Sequence, residues 1–387
     1  MYHQRLINPR SLNGWQGVME LIQSLGCIQY DPVNVVGRNP DLVLQSRIRD
    51  YQPAILNDLL YQDRLLWDGW DKQSSIHSIN DWHYFKRYRD RMIEQYNHPD
   101  YPPMKVADLV REEIRKNGAA DSLRIKHDTK IDWWWGRPVS IIRACLEVLY
   151  VMGELGIHHR NGTRRYFDLV ERLVPADILN QPDPNPTLAD YHDWHVLRRL
   201  GSLGFARVGA VEGWLGITGM KTPERTAALH RLVEKGDVLV VGVDELPGKE
   251  FFIRRIDWDD YQERLDAPID NKKAALLPPL DNLLWDRTLL RWLFDFEYVW
   301  EVYKVQTKRK YGHYTMPVLY GDRFVGRLDA RVDKKTNTLV IDNWWWENGV
   351  NLEADMRNAL QECIHEFGRY LSTEFIRSEN QSALEIL

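Results

Sequence analysis

The chain has 387 residues, 44% of them hydrophobic and 28% charged, which is typical of a globular protein with enough apolar material for more than one core. No stretch approaches the roughly 20 uncharged apolar residues of a membrane-spanning helix, and the N-terminal segment lacks the apolar core of a signal peptide, so we expect a cytoplasmic protein without a membrane partner. The net charge of −5 excludes a uniformly basic surface but allows a local basic face, and the three cysteines, Cys27, Cys145 and Cys363, are too far apart in sequence for a disulfide framework or a CxxC metal site.

The N-terminal region carries an amide and a carboxylate close together in a short extended segment. A helical stretch ends at Gly26 and is followed by residues 27–38, CIQYDPVNVVGR. In an extended backbone Gln29 and Asp31 point to the same side, and Pro32 ends the strand beside them. A QxD triplet is common by chance, so the spacing alone is only a weak indication of catalysis.

A helix followed by a β-hairpin recurs three times, at residues 53–79, 137–173 and 222–255. The middle copy has the strongest helical periodicity and a turn at Asn161-Gly162, and one face of its helix carries Ile141, Cys145, Leu149 and Met152. A helix that leads directly into a hairpin is the second half of a winged helix. Three tandem winged-helix (helix-turn-helix) domains are therefore the most economical interpretation, although helix-hairpin units also occur in other α+β proteins.

After about residue 275 the pattern changes to strands. We predict strands within residues 299–308, 314–332 and 337–347, followed by a closing helix over about 351–371. Adjacent antiparallel strands of this kind indicate a small barrel or a curled sheet. The fold class predicted is thus α+β, with tandem winged helices and a C-terminal β-barrel. Breaks rich in proline and aspartate divide the chain into predicted domains at 1–100, 101–175, 185–270 and 275–387.

Two segments carry local positive charge suited to a polyanion. From Lys304 to Lys335 there are nine basic and three acidic residues, and the segment includes Lys308, Arg309 and Lys310 followed directly by Tyr311. Cations beside an aromatic ring suit phosphates and stacked bases. The tip of the middle hairpin also carries Arg160, Arg164 and Arg165, where a wing would contact a groove or phosphates. Solvated hairpins with no partner are the alternative for both segments.

Four collinear blocks give the chain a more specific resemblance. They are LGCIQYDPVNVVGR at 25–38, LVLQSRIRDYQPAILNDLLYQDRLLWDGW at 42–70, LLPPLDNLLWDR at 276–287 and KRKYGHYTMPVLYGDRFVGRLD at 308–329. With these blocks the chain resembles the AlkZ/YcaQ family of winged-helix DNA glycosylases over nearly its whole length. The resemblance implies a DNA repair enzyme with tandem winged helices and a β-barrel, whose partner is duplex DNA with alkylated or crosslinked purines.

The resemblance also implies which residues are catalytic. The family uses a QxQ or QxD triplet, and Gln29-Tyr30-Asp31 matches the QxD branch, which is similar to the broader repair enzymes. Asn34 and Arg38 would support the site or hold a phosphate. The chain departs from the family pattern after Arg38, where Asn39-Pro40 replaces a pair of histidines and Gln45 stands in place of a tryptophan, which bears on substrate range.

By analogy with glycoside hydrolysis, Asp31 would stabilise the oxocarbenium-like sugar and activate water, and Gln29 would position the water or the sugar. This chemistry requires no cofactor. We expect no metal site, because His192 and His195 have no third ligand in view. No lysine adjoins Gln29 and Asp31 in sequence, so we expect a monofunctional glycosylase, acting as a monomer. The alternatives are a non-enzymatic winged-helix transcriptional regulator, which would leave the QxD match unused, and an RNA-binding module, for which no RNP-type motif is present.

Overall fold

A computed structural model of the chain describes residues 1–7, 12–133, 136–264, 272–378 and 380–386. Up to Asn117 the elements are helices α1 to α5 and strands β1 to β3. Their bounds are α1 Gly14–Leu25, β1 Cys27–Gln29, α2 Asn39–Gln45, α3 Pro53–Tyr61, β2 Leu66–Trp70, β3 Ser74–Ser78, α4 Lys86–Tyr96 and α5 Ala107–Asn117, with 3₁₀ helices at Ile79–Phe85 and Pro102–Val106.

The middle of the chain alternates helices with two-stranded hairpins. Its bounds are β4 Lys130–Asp132, β5 Pro138–Ser140, α6 Ile141–Val151, β6 Leu155–Asn161, β7 Arg164–Leu169, α7 Val170–Leu173, α8 Ala176–Leu179, α9 Leu188–Leu203, α10 Thr222–Lys235, β8 Val238–Val241, β9 Phe251–Arg254 and α11 Arg255–Gln262. The predicted third domain ran from 185 to 270, and its residues 265–270 lie outside the described ranges.

The C-terminal part is dominated by a sheet and one long helix. Its bounds are β10 Ala274–Leu276, α12 Arg287–Phe294, β11 Met316–Tyr320, β12 Arg323–Asp333, β13 Thr338–Trp346, α13 Ala354–Tyr370, β14 Phe375–Ser378 and α14 Gln381–Leu384, with 3₁₀ turns at Asn282–Leu284 and Gln306–Lys308. The closing helix predicted over 351–371 is therefore confirmed as α13.

The three helix-hairpin copies are present as α3-β2-β3, α6-β6-β7 and α10-β8-β9. Local chemistry explains their boundaries. The Ser140 hydroxyl accepts from Ile142 N at 3.3 Å and caps α6, and Gly236, with φ +82°, ends α10. The apolar face predicted for α6 is confirmed, because Ile141, Cys145, Leu149 and Met152 are all buried.

In each copy an earlier extended segment pairs with the second strand of the hairpin. Ala120 bridges Phe167 in β7, and Ala206 bridges Phe252 in β9. In the first copy Tyr30 N, just after β1, donates to Ser74 O in β3 at 2.8 Å. The three copies thus share one connectivity of helix, extended residue, helix and hairpin.

The C-terminal sheet has the strand order β10-β11-β12-β13-β14. The first three pairings are antiparallel and β13 pairs with β14 in parallel. Within the described residues the edge strands β10 and β14 are not paired with each other, so the predicted barrel or curled sheet is observed as a five-stranded sheet. The strand predicted within 299–308 was wrong, because this segment is coil with a 3₁₀ turn.

By its internal packing the chain divides into two compact units. Unit 1 comprises residues 1–56, 71–76 and 192–387, and unit 2 comprises residues 57–70 and 77–191. Unit 2 has a core formed by α5, α6 and the β6-β7 hairpin. Unit 1 contains the C-terminal sheet, with a core around Phe296, Leu319 and Phe324. None of the helices in the described ranges is both long and apolar enough to cross a bilayer.

Candidate active site

The QxD segment lies in unit 1 at the end of β1. Gln29 is the last residue of the strand and is 9% exposed, whereas Asp31 lies just beyond it and is half-buried. Proline at position 32 cannot donate to a sheet, so the backbone leaves the sheet where the carboxylate begins. The result is a buried amide and a partly accessible carboxylate two residues apart.

Asp31 is held by its own backbone. Its Oδ1 accepts from Val33 N at 2.8 Å, which is an Asx turn. Burial raises the pKa of the Asp31 carboxyl, and the hydrogen bond from Val33 offsets this only in part. The phenol of Tyr314 lies near enough for the Asp31 charge to help raise the Tyr314 pKa, after burial. A carboxylate of raised pKa that remains partly accessible suits a general base.

Gln29 is fixed through both its backbone and its side chain. Asn39 Nδ2 donates to Gln29 O at 2.8 Å, and Asn39 Oδ1 accepts from Leu280 N at 3.1 Å. Lys72 Nζ donates to Gln29 Oε1 at 3.1 Å. Asn39 thus connects the QxD strand to the segment that follows β10.

Asn34 and Arg38 shape the loop after Asp31. Asn34 Oδ1 accepts from Gly37 N at 3.1 Å. Gly37 has φ +132°, and a Cβ there would clash with the Tyr370 hydroxyl, so this position requires glycine. The Arg38 guanidinium donates to both carboxylate oxygens of Asp41, at 2.5 and 3.1 Å. Arg38 thus has a structural partner, and a phosphate contact by it stays a prediction.

A buried charge cluster adjoins Lys72. Asp71 accepts from His195 at 3.0 Å, from Arg198 at 2.9 Å and from Arg199. The guanidinium groups of Arg199 and Arg198 hold the pKa of Asp71 well below its usual range despite burial. Burial lowers the pKa of His195 to about 4, so its imidazole is neutral near neutral pH. His192, the other member of the histidine pair, contacts Thr218 O at 3.0 Å. Among the described residues no group of three His, Cys, Asp or Glu side chains could hold a metal ion.

The block LLPPLDNLLWDR packs beneath the QxD segment. Asp281 forms a fully buried ion pair with Arg47, at 2.8 and 2.9 Å. Asn282 Nδ2 donates to Cys27 O at 2.9 Å. Side chains from three parts of the sequence, Asn39, Lys72 and Asn282, thus fix the strand that carries Gln29.

The basic loop of unit 1, residues 308–311, is held in place by Glu301, which sequence reasoning missed. Glu301 is 4% exposed and accepts from the backbone N–H groups of Lys310 and Tyr311, both at 2.9 Å. These bonds curl the segment and account for the absence of the strand predicted there. Lys308 and Lys310 are exposed, whereas Arg309 is half-buried.

The Tyr311 ring is not open on every side. It is half-buried, and the Arg327 guanidinium lies 4.3 Å from its centroid. Arg327 in turn pairs with Glu347 at 2.6 Å. Stacking of a base on Tyr311 stays a prediction.

The three arginines of the β6-β7 hairpin in unit 2 differ in environment. The Arg160 side chain is 6% exposed and donates to both oxygens of Asp68, at 2.7 and 2.9 Å. Arg164 is 52% exposed and lies 3.3 Å from Asp121, and Arg165 is 25% exposed and pairs with Glu147 at 2.8 Å. Arg164 is the most accessible to a phosphate, and Arg160 stabilises unit 2.

Comparisons with known proteins give the family and the fold of the chain. A family model described as "DNA glycosylase AlkZ-like" matches residues 22–370. Among solved structures, the chain is similar to the DNA glycosylase AlkZ of Streptomyces sahachiroi, with a TM-score of 0.61 and 15% identity, covering 98% of this chain and 99% of that chain. At this identity the structural likeness concerns the fold.

Proposed function

Because this chain belongs to the AlkZ-like family of DNA glycosylases, we propose that it hydrolyses the N-glycosidic bond of alkylated purines in DNA, with N7-alkylguanine as the main substrate. It would act as a monomer in base excision repair. The observation that carries the proposal is the partly accessible Asp31 carboxylate, held by Val33 N–H two residues after the buried Gln29 amide. A transcriptional regulator would have no use for this pair.

The chemistry of the leaving group explains why one carboxylate is enough. An N7-alkylated guanine is positively charged and leaves as a neutral base, so it needs no general acid. Positive charge then develops on the sugar, where Asp31 would stabilise it and accept a proton from the attacking water. Gln29 would orient that water. No step in this scheme needs a metal or a cofactor.

We further propose that the enzyme is monofunctional. A lyase would need an amine free to attack the sugar C1′. The lysine beside the pair, Lys72, is 6% exposed and donates to Gln29. The product would then be an intact abasic site, and the strand would break only after treatment with alkali.

Interstrand crosslinks are proposed as a second substrate. A crosslinked base is tethered to the opposite strand and cannot be rotated fully into a closed pocket. Asp31 is only half-buried, and its neighbours Pro32 and Asn34 are exposed. An accessible carboxylate of this kind supports attack on a base that stays near the duplex.

We propose that the three helix-hairpin copies are winged helices. Their shared connectivity supports this, because in each copy an extended segment pairs with the second strand of the hairpin. Contacts to the DNA backbone are proposed for Arg164 and Arg165 in unit 2 and for the basic loop in unit 1, Lys308, Arg309, Lys310 and Tyr311. The division into four domains also remains a proposal.

The first test is base release from defined lesions. Wild-type protein and Asp31→Asn are incubated with duplex DNA carrying N7-methylguanine or a nitrogen-mustard crosslink, and abasic sites and freed strands are measured. Loss of a general base should slow single-turnover release by about 10²–10⁴-fold, while duplex binding persists. An exposed aspartate, Asp63, gives the matched control Asp63→Asn, which should be fully active.

The fold should survive the key substitution. The pKa of Asp31 is raised in the folded protein, so above that pKa ionisation of Asp31 opposes folding. The Asp31→Asn variant should therefore melt at the wild-type temperature or slightly higher. Near-normal release by this variant, or no release from any lesion by the wild type, would contradict the proposal.

A further inference from the structure

Lys72 is a buried cation next to the candidate catalytic amide. It lies in the tight turn between β2 and β3, where Asp71 N donates to Gln73 O at 3.0 Å. Its Nζ donates to Gln29 Oε1 at 3.1 Å and lies 4.6 Å from the centroid of the Trp285 ring. Among the described residues, no carboxylate lies within ion-pairing distance of Lys72.

A lysine in this position is costly for the fold. Burying an ammonium without an ion pair costs far more than burying a methionine of similar length. Burial, followed by the nearby Arg199 charge, lowers the pKa of Lys72 to about 8. Below that pH the side chain is mostly charged. The Trp285 ring and the Gln29 amide oxygen contact the ammonium and compensate part of its charge, so the lysine and this amide fix each other's position.

The hydrogen bond also determines which end of the amide is available to the reaction. An ammonium can only donate, whereas a glutamine amide has one acceptor oxygen and an NH₂ group with two donors. With Lys72 on Oε1, the opposite end of the Gln29 side chain is its NH₂ group. Gln29 would therefore act as a donor in the active site, and Asp31 as the acceptor.

We propose that Lys72 is a positioning residue that orients the Gln29 amide for hydrolysis, an inference that rests on the proposed function. The attacking water has two protons and two lone pairs. Asp31 accepts one proton and the Gln29 NH₂ group donates to one lone pair, which leaves the second lone pair directed at C1′. Lys72 itself does not touch the substrate.

Three single variants test the assignment with an N7-methylguanine duplex. Lys72→Met removes the cation at similar volume and should slow single-turnover release by about 10–100-fold, as is usual for the loss of a residue that orients a functional side chain, with the duplex Kd unchanged. Lys72→Arg retains a cationic donor and should recover part of the rate. Gln29→Glu still accepts from Lys72 but lacks the NH₂ donor, so it should be as slow as Gln29→Ala although it keeps the fold.

A double-mutant cycle separates positioning from a general structural role. If Lys72 acts through Gln29, then Gln29→Ala combined with Lys72→Met should be no slower than Gln29→Ala alone. Additive losses, or a Lys72→Met variant with the wild-type rate, would overturn the inference. If Lys72→Met fails to fold, Gln29→Glu and Lys72→Arg decide it, and a Gln29→Glu variant with the wild-type rate refutes the donor role.

The outcome of the wild type separates the two proposals. If the wild type is active and the rate losses of Gln29→Ala and Lys72→Met add, only the role of Lys72 is refuted. Wild type that releases no base removes the proposed function, and the positioning role with it.

Discussion

The buried ion pair between Arg47 and Asp281 should be essential for stability. Both side chains are fully buried, and the guanidinium donates to both carboxylate oxygens. Asp281→Ala would leave the Arg47 charge buried without its counter-ion, which costs ~3–5 kcal/mol of unfolding free energy. Asp281 also accepts from Leu283 N at 3.0 Å, and losing this cap costs about 1 kcal/mol more.

The matched control is an exposed pair in the same unit. Arg331 and Asp342 lie 3.1 Å apart with side chains 49% and 35% exposed, so Asp342→Ala should cost only ~0–1 kcal/mol. Both variants and the wild type are unfolded in urea, and the free energies are compared at a common concentration. The reasoning is wrong if Asp281→Ala and Asp342→Ala differ by less than about 1 kcal/mol.

The effect should extend to the active site. Asn282, next to Asp281, donates to Cys27 O at 2.9 Å, and the neighbouring Trp285 ring lies beneath Lys72. At a temperature where Asp281→Ala is still folded, single-turnover base release should be slower than in the wild type. Normal release per folded molecule would show that this block supports stability alone.

Three further predictions concern charge. Asp31 must be ionised to accept a proton and burial raises its pKa, so release should be lost on acidification at a pH above the ordinary aspartate value of about 3.9; a rate constant that stays unchanged down to about pH 4 would contradict this role. Arg160→Ala should lower the free energy of unfolding of unit 2, measured in urea, by ~3–5 kcal/mol, because Asp68 would lose its buried partner. Arg164→Ala should keep the wild-type stability and weaken DNA binding. The reverse pattern would refute both assignments. Alanine replacement of Lys308, Arg309 and Lys310 together should weaken duplex binding. It should also reduce the slope of log K against log salt concentration by up to about 3, because each cation neutralises at most one phosphate. An unchanged slope would exclude the loop from the interface.

Local patterns in the sequence predicted most of the regular structure. The face of α6 and the turn at Asn161-Gly162 depend on neighbours within a few residues, and the structure contains both of them. The strand predicted within 299–308 does not form, because a side chain binds backbone groups that lie beyond the predicted strand. Alternating apolar residues favoured a strand, but the buried Glu301 carboxylate binds backbone N–H groups nine and ten residues later. When a side chain takes the place of a neighbouring strand as acceptor for backbone N–H groups, the hydrophobic periodicity of the sequence does not show it.

Roles that depend on distant partners were the hardest to predict. Arg160 stands at a hairpin where an exposed cation is expected, and its partner Asp68 is 92 residues away in sequence. Lys72 was not associated with Gln29, because 43 residues separate them. Only the fold brings such pairs together, so charge counted along the sequence overestimates the number of cations available to DNA.

The same reasoning limits what a QxD triplet can indicate. Gln29 and Asp31 are close in sequence, but the direction of the Gln29 amide is set by Lys72 and its backbone by Asn39, which in turn is held by Leu280 N. An amide with no fixed donor on its oxygen could present either end to water, and only one end complements the Asp31 carboxylate. A chain with the triplet but without a donor at the position of Lys72 should therefore bind DNA normally and excise slowly. Conversely, a donor placed there by a different residue should restore excision even where the surrounding sequence has changed.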